Sequence, residues 1–186
     1  MMGVLQHLQQ NQVRRTMGSV RILMIGTGWY AQSRADWQAA AEQPVHFEKH
    51  RGELTREQLG WLCTAFPEGS ARFWAASNVL PEPGDHAWFH RDGAVFAIAP
   101  ILASFRSRTL ATALWPNPHH ASERTGDWGH VFAFHQPAPA MISKRMINRI
   151  LGHRAGDRWQ NPRLLTESES QKLHGQLIWA LKDDEK

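Results

Sequence analysis

The residues that promise chemistry in this sequence are its aromatic rings, one stripe of cations and a glycine turn. Trp74, Asn78, Gly84-Asp85, Trp115 and Trp128 stand out as a set. Trp74 falls inside an apolar run, with Asn78 just after it. Trp115 opens a proline-rich stretch, and Trp128 closes it. Two or three indoles converging at the end of a small barrel would form a slot for a planar base. A nearby amide such as Asn78 would read the base edge. Taken singly, each ring has the plainer reading of core packing. Nine tryptophans against one tyrosine is nevertheless more indole than a core of this size requires.

The cations are concentrated. Between Met141 and Arg163, the basic residues Lys144, Arg145, Arg149, Arg154, Arg158 and Arg163 face one acid, Asp157, whereas the net charge of the whole chain is only +4. A local stripe of this kind suits a polyanion such as nucleic acid; the competing reading is a solvated helix face.

Other chemistry has weaker support. Gly26-Thr27-Gly28-Trp29-Tyr30-Ala31 fits G-x-G-x-x-A, and Glu48 follows Gly28 by 20 residues. A nicotinamide-dinucleotide oxidoreductase places its phosphate turn and its ribose-binding acid at such positions. Strand–helix alternation does not continue past residue 67, however, and bulky Trp29 and Tyr30 stand where a pyrophosphate must approach closely. A glycine turn after an ordinary strand is the favoured reading, and no cofactor is expected. The eleven histidines contain no H-E-x-x-H, adjacent His119 and His120 diverge, and no cysteine pair exists, so no metal site is expected. Cys63, the single thiol, precludes an internal disulfide and points to a reducing, cytoplasmic setting. Its place on the apolar face of a predicted helix reads as buried and inert. There is no G-x-S-x-G and no prominent carboxylate pair, so no catalytic residue is assigned.

The elements that position these groups follow from length and pattern. A chain of 186 residues, 42% hydrophobic and 20% charged, suits one globular domain. Residues 1–17 read as an extension, because Met17 is a plausible second start, and 18–186 as the domain. No apolar run reaches the roughly 18 residues of a membrane span, so no membrane partner is expected. Val20 to Ile25 reads as a buried strand and Ala35 to Gln43 as a short helix stopped by Pro44. Thr55 to Gln58 is a capping box opening a helix with Leu59, Leu62, Cys63 and Phe66 on one face. Ala71 to Ala76 is a strand. His86 to His90 and Ala94 to Phe105 form a hairpin around Asp92-Gly93. Trp128 to Phe134 alternates as a strand, Ser143 to Leu151 is a helix ending at Gly152, and residues 153–163 read as a loop. Thr166 to Glu169 is a second capping box before the last helix. Strands in the middle and helices near both ends imply α+β with a curved, mostly antiparallel sheet.

In order and spacing these pieces resemble the PUA-like superfamily, in its EVE and YTH branch, over about Val20 to Leu181. The pieces are RILMIGTGW, SARFWAASN, PGDHAWFH, GAVFAIAPIL, ALWPN, DWGHVFAF and the tail INRILGHRAGDRWQNPRLLTESESQKL. The resemblance implies a partly closed β-barrel flanked by helices. It implies a binding module that holds a modified base, flipped out of DNA, in an aromatic cage, without catalysis of its own. Related domains occur beside nucleases and GTPases of modification-dependent restriction, which implies a nuclease or NTPase partner. An RNA-binding PUA-like domain is the alternative within the same fold. Carried over, Trp74 and Trp115 would be cage walls facing each other across a pocket. Trp128 or its loop would be the third wall. Thr27 and Trp29 would touch the base edge, and Lys144, Arg145, Arg154, Arg158 and Arg163 would hold phosphates.

Overall fold

A computed structural model describes residues 20–27, 35–76, 79–115, 129–157, 159 and 161–183. Its strands are β1 (Ile22–Gly26), β2 (Val45–His46), β3 (Ser70–Ala76), β4 (His86–Arg91), β5 (Ala94–Arg106), β6 (His130–Phe134), β7 (Ala138–Ser143) and β8 (Arg163–Leu164). The helices are α1 (Arg56–Ala65), α2 (Arg108–Leu114), α3 (Lys144–Leu151) and α4 (Glu167–Asp183), with a π-helical turn at Gln38–Glu42 and a 3-10 turn at Phe47–His50. Local signals place these ends. The Thr55 hydroxyl accepts from the Gln58 amide at 3.2 Å while the Thr55 amide donates to the Gln58 side chain at 3.0 Å, so two orphan donors at the start of α1 are satisfied. Thr166 and Glu169 repeat the exchange at the start of α4. Between β4 and β5, Asp92 and Gly93 both take positive φ, 48° and 82°, as a tight hairpin turn demands.

All the strands belong to one sheet, in the order β2-β3-β6-β5-β4-β1-β8, with β7 paired to β5 beside β6. Among the described residues one pair is parallel, β1 with β4, and the rest are antiparallel. The first strand thus lies inside the main sheet, between β4 and β8, rather than in a separate βαβ unit. The C-terminal segment closes over it: the Ile22 amide donates to the Ser170 hydroxyl at 3.0 Å, and the Leu165 amide to the Ile22 carbonyl at 2.8 Å. That placement speaks against the dinucleotide reading of Gly26-x-Gly28-x-x-Ala31, because the described residues do not form the alternating parallel architecture it needs.

The sheet curls on itself. β3 is three strands from β4 along the sheet, which in a flat sheet is about 14 Å. The rings of Trp74 on β3 and Phe89 on β4 nevertheless lie 6.2 Å apart. Leu23, Ile25, Ala87, Phe89, Ala97 and Ile101 fill the concave side with Trp74. On the other face of β3, Phe73 meets Phe47, which meets Phe66 beyond α1. A second core lies on the convex side of β1, β4 and β5, where Ile22, Met24, Trp88 and Val95 pack beneath Ile147, Ile150, Trp159, Leu165 and Leu173.

The Gly84-Asp85 turn has a structural task. Asp85 is fully buried and takes both Nε and a terminal nitrogen of Arg21, at 3.2 and 2.8 Å, while its carboxylate also accepts the Glu82 amide. The charge-assisted fork joins the start of β1 to the start of β4, so the parallel pair begins in register.

One expectation needs correcting, and one strand had no assignment in the sequence. Cys63 is exposed, because it falls one residue past buried Leu62 and turns off the helix face that Leu62 and Phe66 bury. The stretch 135–143, with Pro137 and Pro139, carries no strand signal, yet β7 forms there. Among the described residues it pairs with β5 alone, and an edge position tolerates a proline that has no N–H to give.

Candidate nucleic-acid interface

Trp74 and Trp115 come together, but not as two walls of a slot. Their ring centroids are 6.0 Å apart at an interplanar angle of 70°, edge to face. Both are 4% exposed. A base sandwiched between two rings needs parallel faces about 7 Å apart, two layers of van der Waals contact. The space between these indoles is filled by the indoles themselves, so the expected slot between them is absent and both rings are core. Trp37, which sequence reasoning left unassigned, completes the cluster. It lies 5.8 Å from Trp74, 4.6 Å from Phe89 and 5.1 Å from Phe96. The Trp115 indole N–H reaches the Asp36 carbonyl at 3.4 Å. At the rim, the Arg91 guanidinium sits 4.2 Å over the Phe96 ring. Asn78, Trp29 and Trp128 lie outside the described residues.

At the end of β1, Thr27 is fully buried rather than presented to a ligand. Its amide donates to the His90 carbonyl at 3.0 Å and so extends the β1–β4 pairing by one bond. Sequence reasoning set His86 and His90 on one face of a strand, too far apart for easy shared metal ligation, and gave His90 no role. It is 2% exposed, and its Nε2 has no hydrogen-bond partner among the described residues. A methyl at Gly26 would stand 3.3 Å from its Cε1, so glycine there leaves room for the imidazole. Burial first, and then the Lys144 charge, lower the His90 pKa from 6.5 to about 4.

The cations form a surface on α3 and the loop after it. Ile147, Asn148 and Ile150 are buried, which leaves Arg145 and Arg149, one turn apart, on the exposed face. Lys144 and Arg145 open the helix with no acid in its first turn. Their charges therefore add to the positive end of the helix dipole, where an acid would ordinarily be favoured. Gly152, at φ 77°, turns the chain out of α3 into the segment holding Arg154. Buried Asn148 fastens that segment: its side-chain oxygen accepts the Trp159 indole N–H at 2.7 Å, and its amide donates to the carbonyls of Ala155 and Asp157 at 3.4 and 3.2 Å. No sequence motif marks Asn148, whose role depends on contacts made after the helix ends. Arg145, Arg149 and Arg154 are exposed and have no ion-pair partner among the described residues.

Arg163 differs from them. Its guanidinium pairs with Glu169 at 2.7 Å and lies 5.2 Å over the Trp159 ring. A phosphate there would compete with a carboxylate already in place. Desolvation raises the Glu169 pKa, but the Thr166 hydrogen bonds and the Arg163 charge outweigh it and hold the group below its usual value. Lys144 is half-buried, and Arg158 lies outside the described residues. Among the described residues no three metal-ligating side chains cluster, and no helix is long and apolar enough to cross a membrane.

No protein-family model and no curated protein matches the chain. Among solved structures it is similar to the N-terminal domain of Thermococcus gammatolerans McrB bound to m5C DNA. That likeness has a TM-score of 0.61 at 14% identity and covers 87% of this chain and 99% of that one. A weaker likeness, with a TM-score of 0.38 at 17% identity, is to ASCH from Zymomonas mobilis and covers 83% of this chain and 94% of that one. The chain shares the fold of that McrB domain, and its curved, mostly antiparallel α+β sheet is the one expected from the order of strands and helices in the sequence.

Proposed function

We propose that this chain is a DNA-binding module of the EVE and YTH kind that recognises a modified base in duplex DNA. It serves as the specificity domain of a modification-dependent restriction system, with any nuclease or NTPase activity supplied by a partner. One observation carries the reading. A PUA-like barrel whose similar structure was captured on m5C DNA here carries Arg145, Arg149 and Arg154, exposed and without an ion-pair partner among the described residues, on one helix and the loop pinned to it. Phosphate contacts of this kind orient a protein on the duplex without reading sequence.

Selectivity then rests on a base taken out of the stack. Trp74 and Trp115 back the site as core, so the stacking faces fall to Trp29 and Trp128, with Asn78 for the base edge. The test is a binding panel of matched oligonucleotides, DNA and RNA, each with and without 5-methylcytosine, 5-hydroxymethylcytosine or N6-methyladenine. Tighter binding to one modified duplex than to its unmodified twin supports the reading. Equal binding across each pair rejects it, and a preference for RNA transfers the fold to the RNA-binding alternative.

A further inference from the structure

Met141 is 94% exposed, the more exposed of two large hydrophobic side chains on the described surface; Leu80, at 44%, is the other. Its position is built. Along the β5–β7 pairing, Val95 opposes Ile142 and Ala97 opposes Pro139, so two steps on β5 match three on β7. The extra residue makes a bulge, and bulges re-aim side chains. On either side Ala140 and Ile142 turn inward onto the second core, which leaves Met141 directed away from the protein. β7 runs straight into α3, whose first residues are Lys144 and Arg145 with no acid in the turn.

A projecting apolar side chain beside Arg145, which is exposed and has no ion-pair partner among the described residues, matches a polyanion with an apolar interior, which is a nucleic-acid duplex. A second β-strand added to β7 is disfavoured, because the bulge and Pro139 interrupt the edge it would pair with. Methionine is among the side chains that enter base steps as wedges, and its unbranched, flexible thioether conforms to an irregular gap.

We propose that Met141 is the wedge of this interface: it enters the base stack of duplex DNA at the step next to the extruded base, while Arg145 on the adjoining helical turn holds the flanking phosphate. The proposal rests on the modified-base reading above. It adds how the duplex is opened rather than how the base is held.

The test compares the wild-type chain with Met141→Ala on one modified sequence, as a duplex and as the single strand, with 2-aminopurine beside the modified base. Wild type should raise the 2-aminopurine fluorescence of the duplex on binding. Met141→Ala should lose most of that rise and bind the duplex about ten-fold more weakly, the effect of one exposed apolar side chain no longer being buried. Its binding to the single strand, which has no stack to open, should be unchanged, as should its melting temperature. Equal fluorescence and affinity for both proteins on the duplex overturn the wedge, and so does an equal loss on duplex and single strand. In either case a wild-type preference for the modified duplex leaves the parent reading standing. If wild type shows no such preference, both fall.

Discussion

The indole N–H of Trp159 donates to the Asn148 side-chain oxygen at 2.7 Å, deep under the surface that carries the arginines. Asn148 belongs to α3 and Trp159 to the segment after it, so this bond and the two Asn148 amide bonds hold Arg154 in fixed relation to Arg145 and Arg149. Asn148→Ala would leave a buried indole N–H and two carbonyls without partners. It should lower stability by about 2–3 kcal/mol, measured by urea unfolding. At temperatures where the variant is folded, DNA affinity should fall for modified and unmodified duplex alike. A variant of full stability would show that these bonds are dispensable.

Trp74→Ala and Trp115→Ala should each cost about 3–5 kcal/mol, the range for removing a buried large aromatic. Trp74 touches Trp37, Phe89 and Trp115, so its loss opens a cavity those rings cannot close. Denaturant midpoints measure it. Trp29→Ala and Trp128→Ala should instead reduce the preference for modified DNA, read in the same binding panel. Full stability in Trp74→Ala together with lost discrimination would return that ring to the cage.

Arg145→Ala, Arg149→Ala and Arg154→Ala should each weaken binding to modified and unmodified duplex by the same factor. Each should also reduce the slope of log affinity against log salt by about 0.9, one released counterion per phosphate contact. Titrations at several salt concentrations give the slope. Arg163→Ala should act chiefly on stability, since its guanidinium is engaged by Glu169 and the Trp159 ring. A change in base preference from any of the three exposed arginines would make it a base reader.

Stability should decline as pH falls from about 6.5 toward 4. The His90 pKa is about 4 in the folded protein, lowered from 6.5 by burial and then by Lys144. Over that window the unfolded chain takes up a proton that the folded chain refuses, so the contribution is complete above 6.5 and lost on acidification. A shift of this size is worth on the order of 3 kcal/mol. His86 and His174, also lowered mainly by burial, contribute in the same direction. Unfolding curves at pH 7 and pH 4.5 should converge in His90→Phe relative to wild type. An unchanged difference between the two pH values would place the titration elsewhere.

Elements governed by near neighbours were legible along the chain. The capping boxes at Thr55 and Thr166, the Asp92-Gly93 turn and the Gly152 helix stop all appear where their residues predict. Each is decided by atoms within four residues of one another. The strand pattern was also enough to imply an α+β fold with a mostly antiparallel sheet, because alternation and turn chemistry set strand and hairpin before any distant contact forms. β7 was missed because its prolines speak against a strand unless the strand is known to lie at an edge, and only the assembled sheet supplies an edge.

The candidate site divides the same way. The amino-acid sequence by itself determined that the chain is rich in indole and that its positive charge gathers between Met141 and Arg163. Only the tertiary structure decided which of those groups are available. Curling of the sheet brought Trp74 against Phe89 and Trp115 and made them core. Burial of His90 beside Lys144 changed its titration. The Glu169 partner separated Arg163 from Arg145, Arg149 and Arg154, and a bulge turned Met141 outward. The physical reason is common to these cases. Residue type and spacing specify what a side chain is able to do, while exposure, ring geometry and ion pairing depend on residues tens of positions away that meet it only once the sheet has closed.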